Sequence, residues 1–490
     1  MRRCYGPPVT SGRAASRAFV LLGAACALVP ALVMWGFTVD DALIPVRYAR
    51  NLVTGAGYRF DAHGPSTDGV TPLPWALLLA PLSSTDGLTV LVRAKVLGIV
   101  CWTLAGGVLG RRVGAMVRGR SRPQVAMAAL GLATMALAFP IGAWAASGME
   151  TGLATALATI AVARLGVSRP HVVAALAGAV ATFRPEMVVW AIALAVGAAV
   201  LGSEGEGEKK GGVPAVARAA ALAAAPFLLC AAVRLVIFGR PAPLAVLAKP
   251  SDLSHGALYV GAATLVVLTP LLVTAPLALV RGRAEGEAEG RSLVLARVVV
   301  VAFAAHAMAV LAAGGDWMPY ARLMVPVAPS LVIAFVALQS ASRLGFALAR
   351  LAAAVVLGTL LAVRAAPAGR SVHGDRADLI TRARPVLAGA HVVAALDIGW
   401  VSAATDASIV DLAGLTDASI AMLPGGHTSK RVDTSMLLDR GVDTVIVYSD
   451  IRVVELRIVR SELFASRFEK TAELPLGLRG ASYAVYRRRP

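Results

Sequence analysis

Apolar runs close to the length of a membrane-crossing helix recur through the first 365 residues, and no other feature constrains the fold as strongly. A helix of ~20 apolar residues spans the hydrocarbon of a bilayer, whereas a soluble core has no room for many such segments. Hydrophobic residues make up 57% of the 490-residue chain and charged residues only 16%, so much of that surface must meet lipid. The runs fall near 18–39, 88–110, 124–141, 151–168, 171–183, 187–202, 219–238, 259–280, 298–313, 323–338 and 351–365. They predict an all-α polytopic membrane protein with about eleven transmembrane helices. The runs at 171–183 and 187–202 are short and flank Arg184-Pro185-Glu186, which fits two short helices or one re-entrant pair. No small-residue cleavage site precedes Val39-Asp40-Asp41 and further runs follow at once, so the first reads as a retained helix rather than a signal peptide.

Basic residues set the orientation. The segments 1–17, 111–123, 164–170, 203–218, 281–297 and 339–350 carry twenty Lys and Arg, against seven in the intervening loops. The first set is therefore expected inside and the second outside, in a multi-pass protein of the inner (plasma) membrane. The same asymmetry accounts for most of the net charge of +18, which makes nucleic acid a poor partner. Glu204–Lys210 and Glu285–Glu289 read as solvated, low-complexity spacers. Cys26, Cys101 and Cys230 fall within spans and Cys4 in the basic tail, so no disulfide framework or metal set emerges.

Beyond residue 365 the pattern changes. Short β-prone runs at His391–Leu396, Ser408–Leu412, Asp443–Tyr448 and Ser482–Tyr486 alternate with polar stretches. The segment 366–490 is long enough for one soluble domain, α/β or β-rich. With an odd number of crossings and the amino terminus inside, this domain is expected on the extracytoplasmic side.

All seven aspartates before residue 365 fall in loops assigned to the outside. Asp40 and Asp41 lead them, directly after the first span, and adjacent carboxylates there suit proton transfer or cation binding. The plainer reading is that they cap the helix expected over 41–53, an interfacial helix with Arg47 and Arg50 on its polar face. Further polar groups stand at Glu150, at Arg184 and Glu186, at Lys249, and in Gly314-Gly315-Asp316-Trp317-Met318-Pro319 followed by Arg322. Arg and Lys facing outward suit a lipid-linked phosphate, although snorkelling of Lys249 to headgroups is equally simple. Arg93 and Lys95 lie inside the second span and need partners there. His63 and His255 read as solvated loop histidines, and His171 and His306 as packing residues. The patterns GxSxG, HExxH, Walker A and CxxC do not occur.

Taken in order along the chain, these segments resemble the GT-C superfamily of membrane glycosyltransferases that use polyprenyl-phosphate sugars. The resemblance rests on Asp40-Asp41-Ala42 with Arg47-Tyr48-Ala49-Arg50-Asn51-Leu52, on Ser147-Gly148-Met149-Glu150-Thr151 and on Arg184-Pro185-Glu186. Ala248-Lys249, Gly314–Pro319 and Asp411-Leu412-Ala413-Gly414-Leu415-Thr416-Asp417 complete it. The chain is most similar to the branch that includes terminal β-1,2-arabinofuranosyltransferases. Met187 after Arg184-Pro185-Glu186, where the family often has Gly, and Pro45 within the loop helix are departures that bear on acceptor choice.

The resemblance implies an inverting transfer with Asp40 or Asp41 as general base, the other orienting it or, at Asp41, holding a divalent Mg or Mn. A carboxylate at the membrane boundary should have a raised pKa, suited to taking a proton from a sugar hydroxyl. Lys249, Arg184 and Arg322 are the phosphate candidates. Glu150, Asp316 and Trp317 would line the acceptor side, with Arg47, Arg50 and Glu186 also in the substrate site. The donor would be a polyprenyl-phosphate sugar and the acceptor a cell-envelope glycan or lipid, with the terminal domain helping to bind the glycan. The rival function is a transporter or flippase for lipid-linked sugars, which needs polar groups at mid-membrane that these spans almost lack.

Overall fold

The computed structural model describes residues 10–203, 212–268, 287–339, 344–477 and 480–490. The spacer 204–210, the start of 285–289, the latter part of the expected span 259–280 and Cys4 lie outside them. Among the described residues, six helices are long and apolar enough to cross a membrane. They lie at Ala14–Val33, Gly87–Met116, Pro185–Gly202, Val213–Phe238, Glu289–Ala312 and Leu344–Leu387. A seventh is gained if Arg122–Leu137 and Phe139–Ala145, which meet at 58°, count as one broken span.

That is fewer than the expected eleven: one expected span lies partly outside the described residues, and for three others the reason is length. Thr151–Ala163, Pro170–Phe183 and Val325–Ala337 are apolar but short. A 13-residue helix such as Thr151–Ala163 is only ~20 Å long, well under a hydrocarbon core of ~30 Å. The apolar composition of Val325–Ala337 has another cause, because it is buried throughout, enclosed by the other helices. Where backbones must approach closely, glycine permits it. A Cβ on Gly110 would sit 2.0 Å from the Phe19 carbonyl, so Thr10–Val33 and Gly87–Met116 pack with almost no gap.

Loops of the two expected groups gather around two separate cavities of the bundle. Arg112, Arg120, Gly166, Leu201, Arg291 and Gln339, all from or beside segments assigned inside, line one cavity. The loops bearing Asp41, Glu150, Lys249 and Arg322 meet at the other. All seven aspartates lie against or beside the C-terminal part.

The helix Leu344–Arg370 leads into Val372–Val386, so residue 365 falls within a helix rather than in a linker. A five-stranded sheet follows: β1 Val392–Ala395, β2 Ser408–Asp411, β3 Thr444–Tyr448, β4 Phe468–Leu476 and β5 Ala481–Arg488. The order is β2-β1-β3-β5-β4. β1 pairs in parallel with β2 and β3, and β5 runs antiparallel to β3 and β4. With helices between the strands this is an α/β unit. All four β-prone runs became strands, and β4, with charged residues interleaved, went unread.

Candidate active site

Asp40 and Asp41 are adjacent, but their carboxylates do different things. Asp40 turns towards the C-terminal part, where it accepts the backbone N–H groups of Gly399 at 2.8 Å and Trp400 at 3.0 Å. These are the unpaired donors at the start of Ile398–Ala404, so Asp40 is an N-cap supplied from a distant segment. Burial pushes its carboxyl up to about 6, against the pull of Arg376, whose guanidinium is 3.8 Å away. The helix Ile44–Val53, for which the doublet offered a plain capping role, has no side-chain cap, and Pro45 sits in its first turn, where no N–H is needed.

Arg47 and Arg50 also face the C-terminal part rather than headgroups or a substrate cleft. Arg47, only 4% exposed, donates to the carbonyls of Ser402 at 3.1 Å and Thr405 at 2.8 Å, closing the far end of the same helix. Arg50 pairs with Asp406 at 2.5 Å.

Asp41 points elsewhere. It lines a narrow cleft of about 70 Å³ together with Glu150, Lys249 and Arg322. The loop Gly69–Pro72 forms one side, and Leu415 from the C-terminal part closes another. Among the described residues, neither the Asp41 carboxylate nor the Lys249 ammonium has a hydrogen-bond or ion-pair partner. Both are half-buried.

The remaining charges are held by neighbours. Glu150 accepts from Arg184 at 2.8 Å, and its second oxygen is buried without a partner. Glu186 lies 2.7 Å from the same guanidinium, close enough for an ion pair but off the hydrogen-bond direction. Arg322 donates through Nε to Asp316 at 2.7 Å and lies over the Trp144 ring at 5.7 Å, and its terminal nitrogens have no hydrogen bond among the described residues. Burial alone would raise the Asp316 carboxyl, but Arg322, Lys249 and Arg184 together hold it below the usual carboxylate range. Tyr320 and Ala321, just before Arg322, both adopt positive φ, at 58° and 52°. Two consecutive left-handed residues without glycine are costly, and here they turn the chain so that Arg322 enters the cleft.

Trp317 is 68% exposed beside the cleft and stacks on His255 at 4.1 Å. His255 also bonds the Gly314 carbonyl at 2.7 Å, so it is an ordered member of this loop cluster rather than a solvated histidine. His427, from the C-terminal part, approaches the same Trp317 ring at 6.3 Å. Burial, with Lys249 next, depresses its imidazole to about 4, keeping it neutral. Leu415 lies in the Asp411–Asp417 stretch that carried the resemblance, whereas no sequence pattern marks His427 as a site residue or the strain at Tyr320. Inside the second span, Lys95 is buried and donates to the carbonyls of Trp35 at 2.5 Å and Phe37 at 2.9 Å, while Arg93 caps Leu82 and Ser83. His306 bonds the Leu323 carbonyl, a packing role.

Among the described residues no group of three or more His, Cys, Asp or Glu stands together to hold a metal ion. With Asp40 capping a helix and Asp316 engaged by Arg322, the cleft offers Asp41 no second free carboxylate except the unbonded oxygen of Glu150.

A family model described as a domain of unknown function (DUF8728) matches residues 379–486. That stretch covers the sheet and its helices. No curated protein and no solved structure matches the chain.

Proposed function

We propose that this chain is an inverting glycosyltransferase of GT-C type, moving a sugar from a polyprenyl-phosphate donor to an envelope glycan or lipid. The observation that carries the reading is the placement, in one cleft, of Asp41 and Lys249, neither of which has a hydrogen bond or close ion pair among the described residues. Asp41 takes the proton from the acceptor hydroxyl as its oxygen attacks the anomeric carbon. The bond to the phosphate oxygen breaks on the opposite face, and the phosphate departs already charged, so it needs cations rather than a general acid. Lys249 and the free end of Arg322 supply them. Arg184 acts one step back, by holding Glu150, and Asp316 does the same for Arg322.

In this reading the cleft and the C-terminal part face outward, as the basic asymmetry of the loops suggests. Trp317 offers a sugar ring a flat apolar face at the acceptor side. The spans of the bundle place almost no acids at mid-membrane, which counts against a transporter.

The test is incubation of the purified protein in nanodiscs with a panel of radiolabelled polyprenyl-phosphate sugars and envelope acceptors. Transfer with inversion by the wild type and its loss in Asp41→Asn support the assignment. Turnover by Asp41→Asn at the wild-type rate removes it.

A further inference from the structure

A second cavity lies at the end of the bundle opposite Asp41. Gly87–Met116 starts beside Asp86, which pairs with Arg384 of the C-terminal part, and runs ~45 Å to reach it. The cavity has a volume of about 180 Å³. Arg112 and Arg120 line it from one segment and Arg291 from another, and among the described residues no acidic side chain does. Like charges gathered around one space repel unless an anion sits between them.

The lining is built rather than merely solvated. Gln339 is 9% exposed, yet its side-chain amide nitrogen has no partner. Arg112 bonds the Leu165 carbonyl at 3.0 Å through one terminal nitrogen, while its Nε is buried and unbonded. Arg120 and Arg291 have no ion-pair partner among the described residues. Below these donors the floor is apolar, formed in part by Leu201 and Leu295, both buried.

We infer that this cavity binds a phosphate group carried on an apolar chain, that is, an anionic phospholipid. Guanidinium groups match phosphate oxygens in pairs, and basic pockets between membrane helices are the usual seats of such headgroups. The apolar floor fits the start of an acyl chain. The inference does not depend on the glycosyltransferase reading, because none of its residues belongs to the Asp41 cleft.

The experiment follows thermal unfolding and native mass spectra of the full-length protein in detergent. It is titrated separately with dioleoyl phosphatidylglycerol, dioleoyl phosphatidylcholine and inorganic phosphate. Saturable binding of phosphatidylglycerol, with little effect of phosphatidylcholine, is expected. Arg120→Gln/Arg291→Gln, at exposed positions that should spare folding, should weaken it about tenfold or more. Arg118→Gln/Arg164→Gln removes the same charge outside the cavity and should bind as the wild type does. An equal response to inorganic phosphate would support the phosphate site but assign it to a soluble ligand. Equal binding of both lipids, or equal losses in the two double variants, would overturn the inference.

Discussion

Asp40 and Arg47 hold the two ends of one helix that belongs to the other half of the chain. Asp40 accepts the first N–H groups of Ile398–Ala404, and Arg47 donates to carbonyls at its end. Each carries the sign of charge that its helix end favours. Gly399 makes room for this grip, since a Cβ there would lie 2.0 Å from the Asp40 carbonyl oxygen. The acidic doublet is thus divided between joining the two parts and facing the cleft.

That division predicts a clean separation of two neighbouring variants. Asp41→Asn should cut transfer by ~10²–10⁴, the usual cost of a lost general base. Asp40→Asn should leave the chemistry within about tenfold while lowering stability by ~1 kcal/mol, as a weakened cap does. Rates of labelled sugar transfer and thermal melts of both proteins decide it. A melt unchanged in Asp40→Asn, together with lost turnover, would reverse the two roles.

Lys249→Met should raise the donor KM or depress kcat, with the acceptor KM little changed, because only the donor bears phosphate. Arg322→Met should do the same and also free Asp316, so it should lose stability as well. Initial rates with both substrates varied provide the check. An effect confined to the acceptor KM would place Lys249 outside the donor site.

Arg184 is buried between Glu150 and Glu186, with side-chain exposures of 5%, 1% and 16%. Removing the cation leaves two carboxylates without it, so Arg184→Met should destabilise by ~3–5 kcal/mol. Arg184→Met/Glu150→Gln should recover part of that loss. Yield and melting temperature of the two variants measure it, and absence of any recovery would mean that Glu150 is not the partner that matters.

Burial raises the Asp411 carboxyl to about 6, although Thr416 and Ala413 donate to it. A carboxyl raised on folding binds its proton more tightly in the native state. Its contribution is therefore present below about 4 and is lost as pH rises through about 6. The melting temperature of the wild type relative to Asp411→Asn should fall between about pH 4 and 7. A difference that is flat or rises would show that the donated hydrogen bonds outweigh burial.

The sequence separated two groups of loops by arginine placement, and the Asp41 cleft and the Arg112 cavity draw on different ones. It did not make the number of crossings legible. Val325–Ala337 is as apolar as a membrane span, but it owes that to helices packed around it, and hydropathy does not distinguish lipid from protein. Asp41, Glu150, Lys249 and Arg322 were singled out one by one, and the fold brings them to one cleft. Arg47 and Arg50 were legible as charges but not as clasps, since their partners lie hundreds of positions away. The same long range hid His427.

Leu415 gives the cleft a wall that the helical half does not possess. If the cleft transfers sugar, that wall has a second office, because water is also an acceptor. A lid that keeps bulk solvent off the anomeric carbon suppresses spilling of the activated sugar as free monosaccharide. Loosening the clasp at Asp40 would then show up first not as a slower enzyme but as a leaky one, with hydrolysed donor accumulating beside the intended product.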